Sequence, residues 1–272
     1  MVTYSPSIAE HGISLASETK TDHEFAIGTV IASMRADVGY PYTLDTFAEM
    51  ANYSPFHFAR LFRHAIGIPP GEFLAALRFH RAKELILKSD LSITDICFEV
   101  GFSSLGTFSS RFKQLVGVNP ADLRALPETL GPRLPDLANV EPRPILGIGA
   151  TLNGEVTSPI ASSGHLFVGI YPAGVPQGMP VAGTLLPGPG MFQLNDVPDG
   201  MYRLMAAMFP LSSDPIAHLL PSESVLVAVD PLPVIIGSGI PRRLLALRLR
   251  PAQPTDPPLL TALAPMALGL SE

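Results

Sequence analysis

Apolar residues recur at spacings of three and four from Asp22 to about Leu126, which is the periodicity of amphipathic α-helices. Capping residues, prolines and glycines divide this half of the chain into seven predicted helices. Residues 1–20 are polar and are predicted to form a flexible tail. The predicted helices are His23–Ala36, one capped by Thr43, one capped by Ser54 with Pro55 at its first position, Pro70–Lys88, one capped by Ser92, Leu105–Val116 after the cap Ser104, and a short helix from Asn119 to about Arg124.

The pattern changes at Pro127, where proline becomes frequent and lysine disappears. The five prolines of Pro127–Pro144 predict a semi-rigid linker. Alternating residues and Gly/Pro turn clusters then predict short strands. The chain is therefore predicted to be multidomain, with an all-α domain at residues 21–126 and an all-β domain at residues 145–272. The predicted strands are Ile145–Val156, His165–Tyr171, Met191–Val197, Met201–Phe209, Val225–Val229 and Arg243–Arg250.

Two segments of the helical half have the pattern of a helix-turn-helix motif, namely Thr43–Arg63 and Ser92–Lys113. Each begins with a short helix carrying a small residue and then opens a second helix at a serine. The sequence alignment of the two segments makes Phe56 and Leu105, 49 positions apart, equivalent. A duplicated motif of this kind predicts a DNA-binding regulator whose second helices enter two successive major grooves.

The helix after Ser54 has two faces with different chemistry. An apolar stripe of Phe58, Leu61, Phe62 and Ala65 is expected to face the core. The other side combines arginines with an exposed phenylalanine, as base-reading helices do, because arginine pairs with guanine and apolar groups contact thymine methyls. The alternative is an ordinary surface helix. The predicted DNA-binding residues of this helix are Phe56, His57, Ala59, Arg60 and Arg63.

The helix after Ser104 repeats this arrangement with smaller side chains. Phe108, Phe112 and Leu115 are expected to face inward. Small outward residues permit a close approach to the groove but read few bases, and the basic residues are expected to contact phosphates. The predicted DNA-binding residues of this helix are Leu105, Gly106, Ser109, Ser110, Arg111 and Lys113.

The formal net charge of −6 does not exclude a nucleic-acid partner. Residues 21–127 contain 10 basic and 11 acidic residues, whereas residues 128–272 contain 7 and 11, so most of the acidity lies in the second half. What decides DNA binding is whether the basic groups share a face. A single cysteine, Cys97, excludes an internal disulfide framework and fits a core position in a reducing cytoplasm.

Residues with catalytic or metal-binding spacing are not found in the sequence. There is no signal peptide, no apolar run of membrane-spanning length, no phosphate-binding glycine loop, and neither G-x-S-x-G nor H-E-x-x-H. His165 and His218 have no companion at metal-ligand spacing and are expected to be exposed or hydrogen-bonded. The chain is therefore predicted not to be an enzyme and to need no cofactor or metal.

Residues 23–125 resemble the DNA-binding domain of AraC/XylS-type transcriptional regulators. The resemblance rests on FAEMANYSPFHFARLFRHAIGIPPGEFL, LRFHRAKELIL and SITDICFEVGFSSLGTFSSRFKQLVGVNPADLR in that order. It implies seven helices, with a long central helix joining two recognition helices on one DNA face. Many members have glutamine at position 105 and arginine at position 110, where this chain has Leu105 and Ser110. The second helix is therefore expected to contribute position and shape reading more than base readout.

The segment Gly190–Leu204 resembles the G-x-F-x-L-x-x-V-P-x-G-x-Y signature of prealbumin-like, carboxypeptidase regulatory-like β-sandwiches. Phe192 and Leu194 would alternate on one strand and Tyr202 and Leu204 on a returning strand of a hairpin. The resemblance concerns packing and turn residues, so it predicts a fold and no activity.

The sequence thus predicts a sequence-specific transcriptional regulator in the cytoplasm, at the nucleoid, with double-stranded DNA as its partner and no membrane association. RNA polymerase, a small-molecule effector or a homodimer partner are further expected partners, the last two through the C-terminal domain. The alternative hypothesis is a non-enzymatic interaction protein whose sandwich binds a saccharide, a peptide or a protein, with DNA contact serving only to anchor it.

Overall fold

The computed structural model describes residues 9–139, 149–160, 163–172, 178–221, 224–237 and 244–270. The first eight residues of the predicted tail, the end of the predicted linker from residue 140, the start of the first predicted strand at 145–148, and Arg243 lie outside the described residues. The chain divides into two compact units between Leu77 and Arg78. This division falls inside the long central helix, whereas the sequence predicted a boundary at the proline-rich segment.

The first unit contains helices α1 (Ala9–Ala36), α2 (Leu44–Met50), α3 (Pro55–Ile66) and the start of α4 (Pro70–Lys88). Thr43 caps α2 by accepting from the backbone N–H of Thr46, as the sequence predicted. Helix α1 begins well before His23, in the segment expected to be a loose tail. That segment has no proline after its sixth residue and is rich in helix-forming residues, so nothing local stops the helix.

The second unit begins with the rest of α4, followed by α5 (Ile93–Glu99), α6 (Leu105–Val116), α7 (Pro120–Leu130) and a 3-10 helix (Gly131–Asn139). The bounds of α4 and α6 are those predicted. Helix α7 continues past Arg124 and through Pro127, and the 3-10 helix follows at once. The described part of the predicted linker is therefore helical and packed, because Leu130, Leu134 and Leu137 bury their side chains.

Two β-sheets and two short helices complete the second unit. Five of the six predicted strands are recovered with shifts at their ends, whereas the predicted strand Arg243–Arg250 is split into β8 and β9, which belong to different sheets. Strands β3 and β7 and the short helices α8 (Pro215–Leu219) and α9 (Leu263–Ala267) are additional. The strands are β1 (Ala150–Thr157), β2 (Gly164–Tyr171), β3 (Ala182–Leu186), β4 (Gly190–Val197), β5 (Gly200–Pro210), β6 (Leu226–Val229), β7 (Val234–Ile236), β8 (Leu245–Arg248) and β9 (Arg250–Pro251).

One sheet has three strands in the order β4-β1-β8, with β1 and β8 parallel. The other has the order β3-β2-β5-β6-β9, and β7 pairs with the start of β5. Buried residues of both sheets, such as Leu194 and Leu204, form one hydrophobic cluster. Close packing requires Gly154 in β1, because a Cβ there would lie 2.5 Å from both the Leu245 carbonyl oxygen and the Phe192 ring.

The predicted hairpin between Phe192 and Leu204 is wrong. Strand β4 pairs with β1, whereas β5 pairs with β2, so the Pro198–Gly200 turn connects the two sheets. The turn is closed by the Tyr202 hydroxyl, which donates to the Pro198 carbonyl at 3.1 Å. The burial of Phe192 and Leu194 at alternate positions, and of Tyr202 and Leu204, was correctly predicted, although β5 is buried at every position from Leu204 to Phe209. The pairing of β4 with β5 was predicted wrongly, because the same turn residues occur in hairpins and in connections between sheets.

Among the described residues, no helix is long and apolar enough to cross a membrane.

Candidate DNA interface

Helices α3 and α6 are two copies of one structural element. Both have 12 residues, begin after a serine N-cap and end at a glycine with positive φ, 88° at Gly67 and 95° at Gly117. Ser54 and Ser104 are 50 positions apart, as are the two glycines. The structural equivalent of Phe56 is therefore Gly106 rather than Leu105, which corrects the sequence alignment by one residue.

The caps of the two helices differ in detail. Ser104 accepts from the Thr107 backbone N–H, at 3.4 Å. Ser54 occupies the N-cap without a side-chain hydrogen bond to the helix, and Pro55 at the first position removes one N–H that would need a partner. The start of α3 is thus determined more by proline than by its serine.

Each helix is fixed by a buried phenylalanine pair four residues apart. The rings of Phe58 and Phe62 lie 5.7 Å apart in the first unit, and Phe62 contacts Phe73 of α4 at the same distance. In the second unit Phe108 and Phe112 are also 5.7 Å apart, and Phe79 of α4 stacks on Phe108 at 5.9 Å. The two aromatic clusters orient the opposite faces of α3 and α6 away from their cores.

The outer face of α3 exposes the residues predicted to read bases. Phe56 is 79% exposed, and Arg60 and Arg63 are exposed as well. Ala59 is half-buried beside them. The predicted inner stripe is shorter than expected, since Ala65 is exposed and Leu61 is only half-buried.

His57 is half-buried in a small ring cluster at the start of α3. Its imidazole stacks on Tyr53 with ring centroids 5.0 Å apart, and His23 of α1 packs edge-on against both, at 5.7 Å from Tyr53 and 6.3 Å from His57. His57 therefore ties the first turn of α3 to its own unit, besides lying next to the predicted reading face.

The outer face of α6 has smaller side chains than that of α3. A Cβ at Gly106 would meet nothing within 4 Å, and Ser110 and Lys113 are exposed, with Ser109 half-buried. Leu105 is 38% exposed at the first position. Leu115, which was predicted to face inward, is half-buried.

Arg111 lies beside the buried face rather than at the centre of the outer one. Its guanidinium lies over the Phe79 ring, with the Cζ atom 5.9 Å from the ring centroid. A cation in that position is favoured by the negative face of the aromatic ring. Arg111 remains exposed at the edge of α6.

Charge is distributed unevenly between the helices of each motif. Helices α3 and α6 contain basic residues and no carboxylate. The acidic residues lie instead on the preceding helices, Asp45 and Glu49 on α2 and Asp95 and Glu99 on α5. The basic groups therefore occupy the helices proposed to enter DNA, despite the negative net charge of the chain.

Cys97 is fully buried between α5 and the following turn, as expected for a core residue. Burial raises the pKa of its thiol, which disfavours the reactive thiolate.

Hydrogen bonds between the end of α6 and the C-terminal region were not predicted from the sequence. The backbone N–H groups of Gly178 and Ala262 donate to Leu115 and Val116 at the end of α6, at 2.7 and 2.9 Å. Lys83 of α4, fully buried, donates to the Leu260 carbonyl. A signal existed for Lys83 alone, because it falls on the apolar stripe of α4, four residues after Phe79 and three before Ile86.

His165 of β2 and His218 of α8, predicted to be exposed or hydrogen-bonded, are buried neighbours with ring centroids 5.7 Å apart. Nε2 of His218 lies 3.0 Å from the Ser212 carbonyl, whereas its Nδ1 has no hydrogen-bond partner among the described residues. Burial lowers the pKa of His165, and the neighbouring His218 lowers it further. No group of three or more metal-ligating side chains occurs in the described parts of the chain.

The two motifs, with exposed and carboxylate-free second helices, define a helix-turn-helix DNA-binding transcriptional regulator. The model of a family described as "Helix-turn-helix domain" matches residues 47–125. The chain belongs to the AraC family of helix-turn-helix regulators. It is 35% identical over 89 residues to the probable transcription factor PqrA of Proteus vulgaris, and the match covers 32% of this chain and 73% of PqrA.

A second relative is the HTH-type transcriptional regulator GlxA of Rhizobium meliloti, 34% identical over 119 residues, which are 44% of this chain. The chain spans 36% of the length of GlxA. Among solved structures, the DNA-binding domain of AdpA in complex with a target DNA is 27% identical in sequence to this chain. The match covers 39% of this chain and 96% of the AdpA chain, with a TM-score of 0.37.

Proposed function

We propose that this chain regulates transcription by placing α3 and α6 in successive major grooves of double-stranded DNA. The observation that supports this most directly is that both helices present an exposed, carboxylate-free outer face opposite a phenylalanine pair that anchors the inner face. A major groove is wide enough for one α-helix, and its phosphates repel carboxylates. The expected location is the cytoplasm at the nucleoid, because chromosomal DNA is the proposed ligand.

We propose that α3 carries most of the base readout. Arg60 is exposed at the middle of the helix, where a guanidinium can pair with O6 and N7 of a guanine. Phe56 leaves most of its ring in water, which is unfavourable unless a partner covers it. A thymine methyl group is the apolar partner that a major groove offers. Arg63, one turn beyond Ala59, extends the same face.

Helix α6 is proposed to approach the groove closely and to read fewer bases. Gly106 occupies the position at which α3 has Phe56, and nothing lies within 4 Å of where its Cβ would be. Ser109 and Ser110 are short, so the helix backbone can lie near the DNA. Arg111 lies at the edge of this face and Lys113 near its C-terminal end, and both are proposed to contact phosphates.

The C-terminal β-rich region is proposed to be a prealbumin-like sandwich with a regulatory or interaction role. Two sheets that share one hydrophobic cluster support the sandwich. The proposed partners of this region are a small-molecule effector or a second copy of the chain, which binding measurements would distinguish. RNA polymerase is a further proposed partner of the protein. The acidic balance of residues 128–272 argues against direct DNA contact by this region.

Selection of bound sequences from a random DNA pool, with the full-length protein, tests the proposed function. A regulator should enrich a defined sequence, and its affinity should fall steeply as salt increases. The Arg60→Ala variant should lose preference at one position, whereas Arg133→Ala, on the 3-10 helix, should select the same sequence as the wild type. Equal binding to every sequence by the wild type would instead favour the alternative in which DNA contact only anchors the chain.

A further inference from the structure

The C-terminal end of α6 is closed by backbone N–H groups of the β-rich region as well as by the glycine that follows the helix. The last four carbonyl groups of an α-helix have no partner within the helix. In α6 the first of these, from Lys113, accepts from the Gly117 N–H. Two later carbonyl groups accept hydrogen bonds from residues far away in sequence. The Leu115 carbonyl accepts from the Gly178 N–H, and the Val116 carbonyl accepts from the Ala262 N–H.

These donors are linked to one another and to the sheet. The Thr261 hydroxyl donates to the Gly178 carbonyl at 2.9 Å, and the Thr261 side chain also hydrogen-bonds Tyr171 of β2. Thr261 is 3% exposed, and Tyr171 is buried too. We call Gly178, Leu260, Thr261 and Ala262 the α6 clamp.

The clamp is also attached to α4. Lys83 donates from Nζ to the Leu260 carbonyl at 2.8 Å, and Lys83 is fully buried. A buried amino group without a hydrogen-bond partner is costly, so breaking this contact would destabilise the folded protein. Helix α4 therefore donates one hydrogen bond to the clamp, at Leu260, and α6 accepts two from it, from Gly178 and Ala262.

Space at Gly178 is limiting. Its φ of 68° lies in the left-handed region, and a Cβ there would be 2.7 Å from the Gln114 carbonyl oxygen. That distance cannot be tolerated without movement of either the loop or the last turn of α6. The contact between the loop and the recognition helix thus depends on the absence of a side chain at this position.

We infer that the α6 clamp consists of positioning residues for the second recognition helix, so that the β-rich region sets how α6 is presented to DNA. The inference rests on the proposed function, because it concerns the same DNA-reading helix. Displacement of a helix by 1 Å is enough to disturb contacts made by short side chains such as Ser109 and Ser110. A change at the clamp should therefore reach the DNA segment contacted by α6 and leave the segment contacted by α3 intact.

The test is footprinting of the full-length protein on its selected DNA site, comparing Gly178→Ala with Gly188→Ala. Gly188 is a matched control in the same region, since a Cβ there would meet nothing within 4 Å. The segment contacted by α3 is identified as the one whose base preference changes in Arg60→Ala. We expect Gly178→Ala to lose protection of the other segment and to bind about tenfold more weakly, while Gly188→Ala behaves as wild type.

The outcomes are separable. If the wild type protects no defined segment, the proposed function fails irrespective of the clamp. If folded Gly178→Ala protects both segments as the wild type does, or loses both equally, the positioning role is refuted. If circular dichroism shows that Gly178→Ala is unfolded, Thr261→Val, which removes only the side-chain link to Gly178 and Tyr171, replaces it. Selective loss of the α6 segment in Thr261→Val supports the clamp, and an unchanged or uniformly weakened footprint overturns it.

Discussion

The Nζ atom of Lys83 donates a 2.8 Å hydrogen bond to the carbonyl oxygen of Leu260, across 177 positions of sequence. Lys83 lies in the C-terminal half of α4, on the same stripe as the buried Phe79 and Ile86. Burial lowers the pKa of Lys83 to about 7, because a buried ammonium group loses its hydration. This hydrogen bond therefore connects α4 to the C-terminal region through a titratable group.

The pH dependence of stability should reveal this lysine. Between about pH 7, near its pKa in the folded protein, and its ordinary pKa of 10.5, the unfolded chain binds more protons than the folded one. Stability should therefore rise with pH across this window and be lost as pH falls toward 7. Urea unfolding at pH 7 and pH 9 should show a smaller difference for Lys83→Met than for wild type. Lys88→Met, at the end of α4, is the matched control, and equal pH dependence in Lys83→Met and wild type would refute the assignment.

Arg60 is expected to read a base. Arg60→Ala should weaken binding to the selected site by about 1–3 kcal/mol and relax preference at one position, because one bidentate contact to a guanine is lost. Competition binding on a set of single-base variants of the site measures this. A uniform loss of affinity on every sequence would show that Arg60 contacts a phosphate instead.

Lys113 and Arg111 are expected to contact phosphates. Replacing either by alanine should weaken specific and non-specific DNA to a similar degree and reduce the slope of log affinity against log salt by about one. The two variants should differ in stability. Arg111→Ala also removes the guanidinium from the Phe79 ring and should lower the melting temperature, whereas Lys113→Ala should not. An unchanged salt slope would rule out a phosphate contact for the residue tested.

His165 should make the C-terminal region sensitive to acid. Its pKa lies below the ordinary 6.5 in the folded protein, so the unfolded state takes up the proton first as pH falls. Stability should therefore decrease as the pH drops through about 6.5 and below. His165→Gln should reduce the loss of melting temperature between pH 7.5 and pH 5.5, whereas His64→Gln, an exposed site, should leave it unchanged. If the melting temperature of His165→Gln fell as much as that of wild type between pH 7.5 and pH 5.5, groups other than His165 would cause the acid sensitivity.

The helices of the first half were predicted well because their ends are determined by residues close to them in sequence. Thr43, Pro55 and Gly67 each act within one turn of the backbone they cap, so the ends of α2 and α3 follow from sequence. Strands β3 and β7 were missed because their short apolar runs lie among glycines and prolines that favour turns. The pairing of β4 and β5 with different sheets depends on contacts far away in sequence.

The candidate reading faces were predictable for the same reason, since helical periodicity separates Phe56 and Arg60 from Phe58 and Phe62. The alignment of the two motifs was predicted wrongly by one residue, so that Phe56 was paired with Leu105. The contacts of α6 with Gly178 and Ala262 could not have been predicted, because they use backbone N–H groups that carry no side-chain signature.

The central claim is that one protomer uses both motifs on DNA. Hydroxyl-radical footprinting of the full-length protein on its selected site tests it most directly. Two protected major-groove segments on one face of the duplex, about 34 Å apart and bound by one protomer, are the predicted result. Protection of a single segment per protomer would contradict the claim and would mean that α6, with Gly106 and Ser110 on its outer face, does not enter a groove.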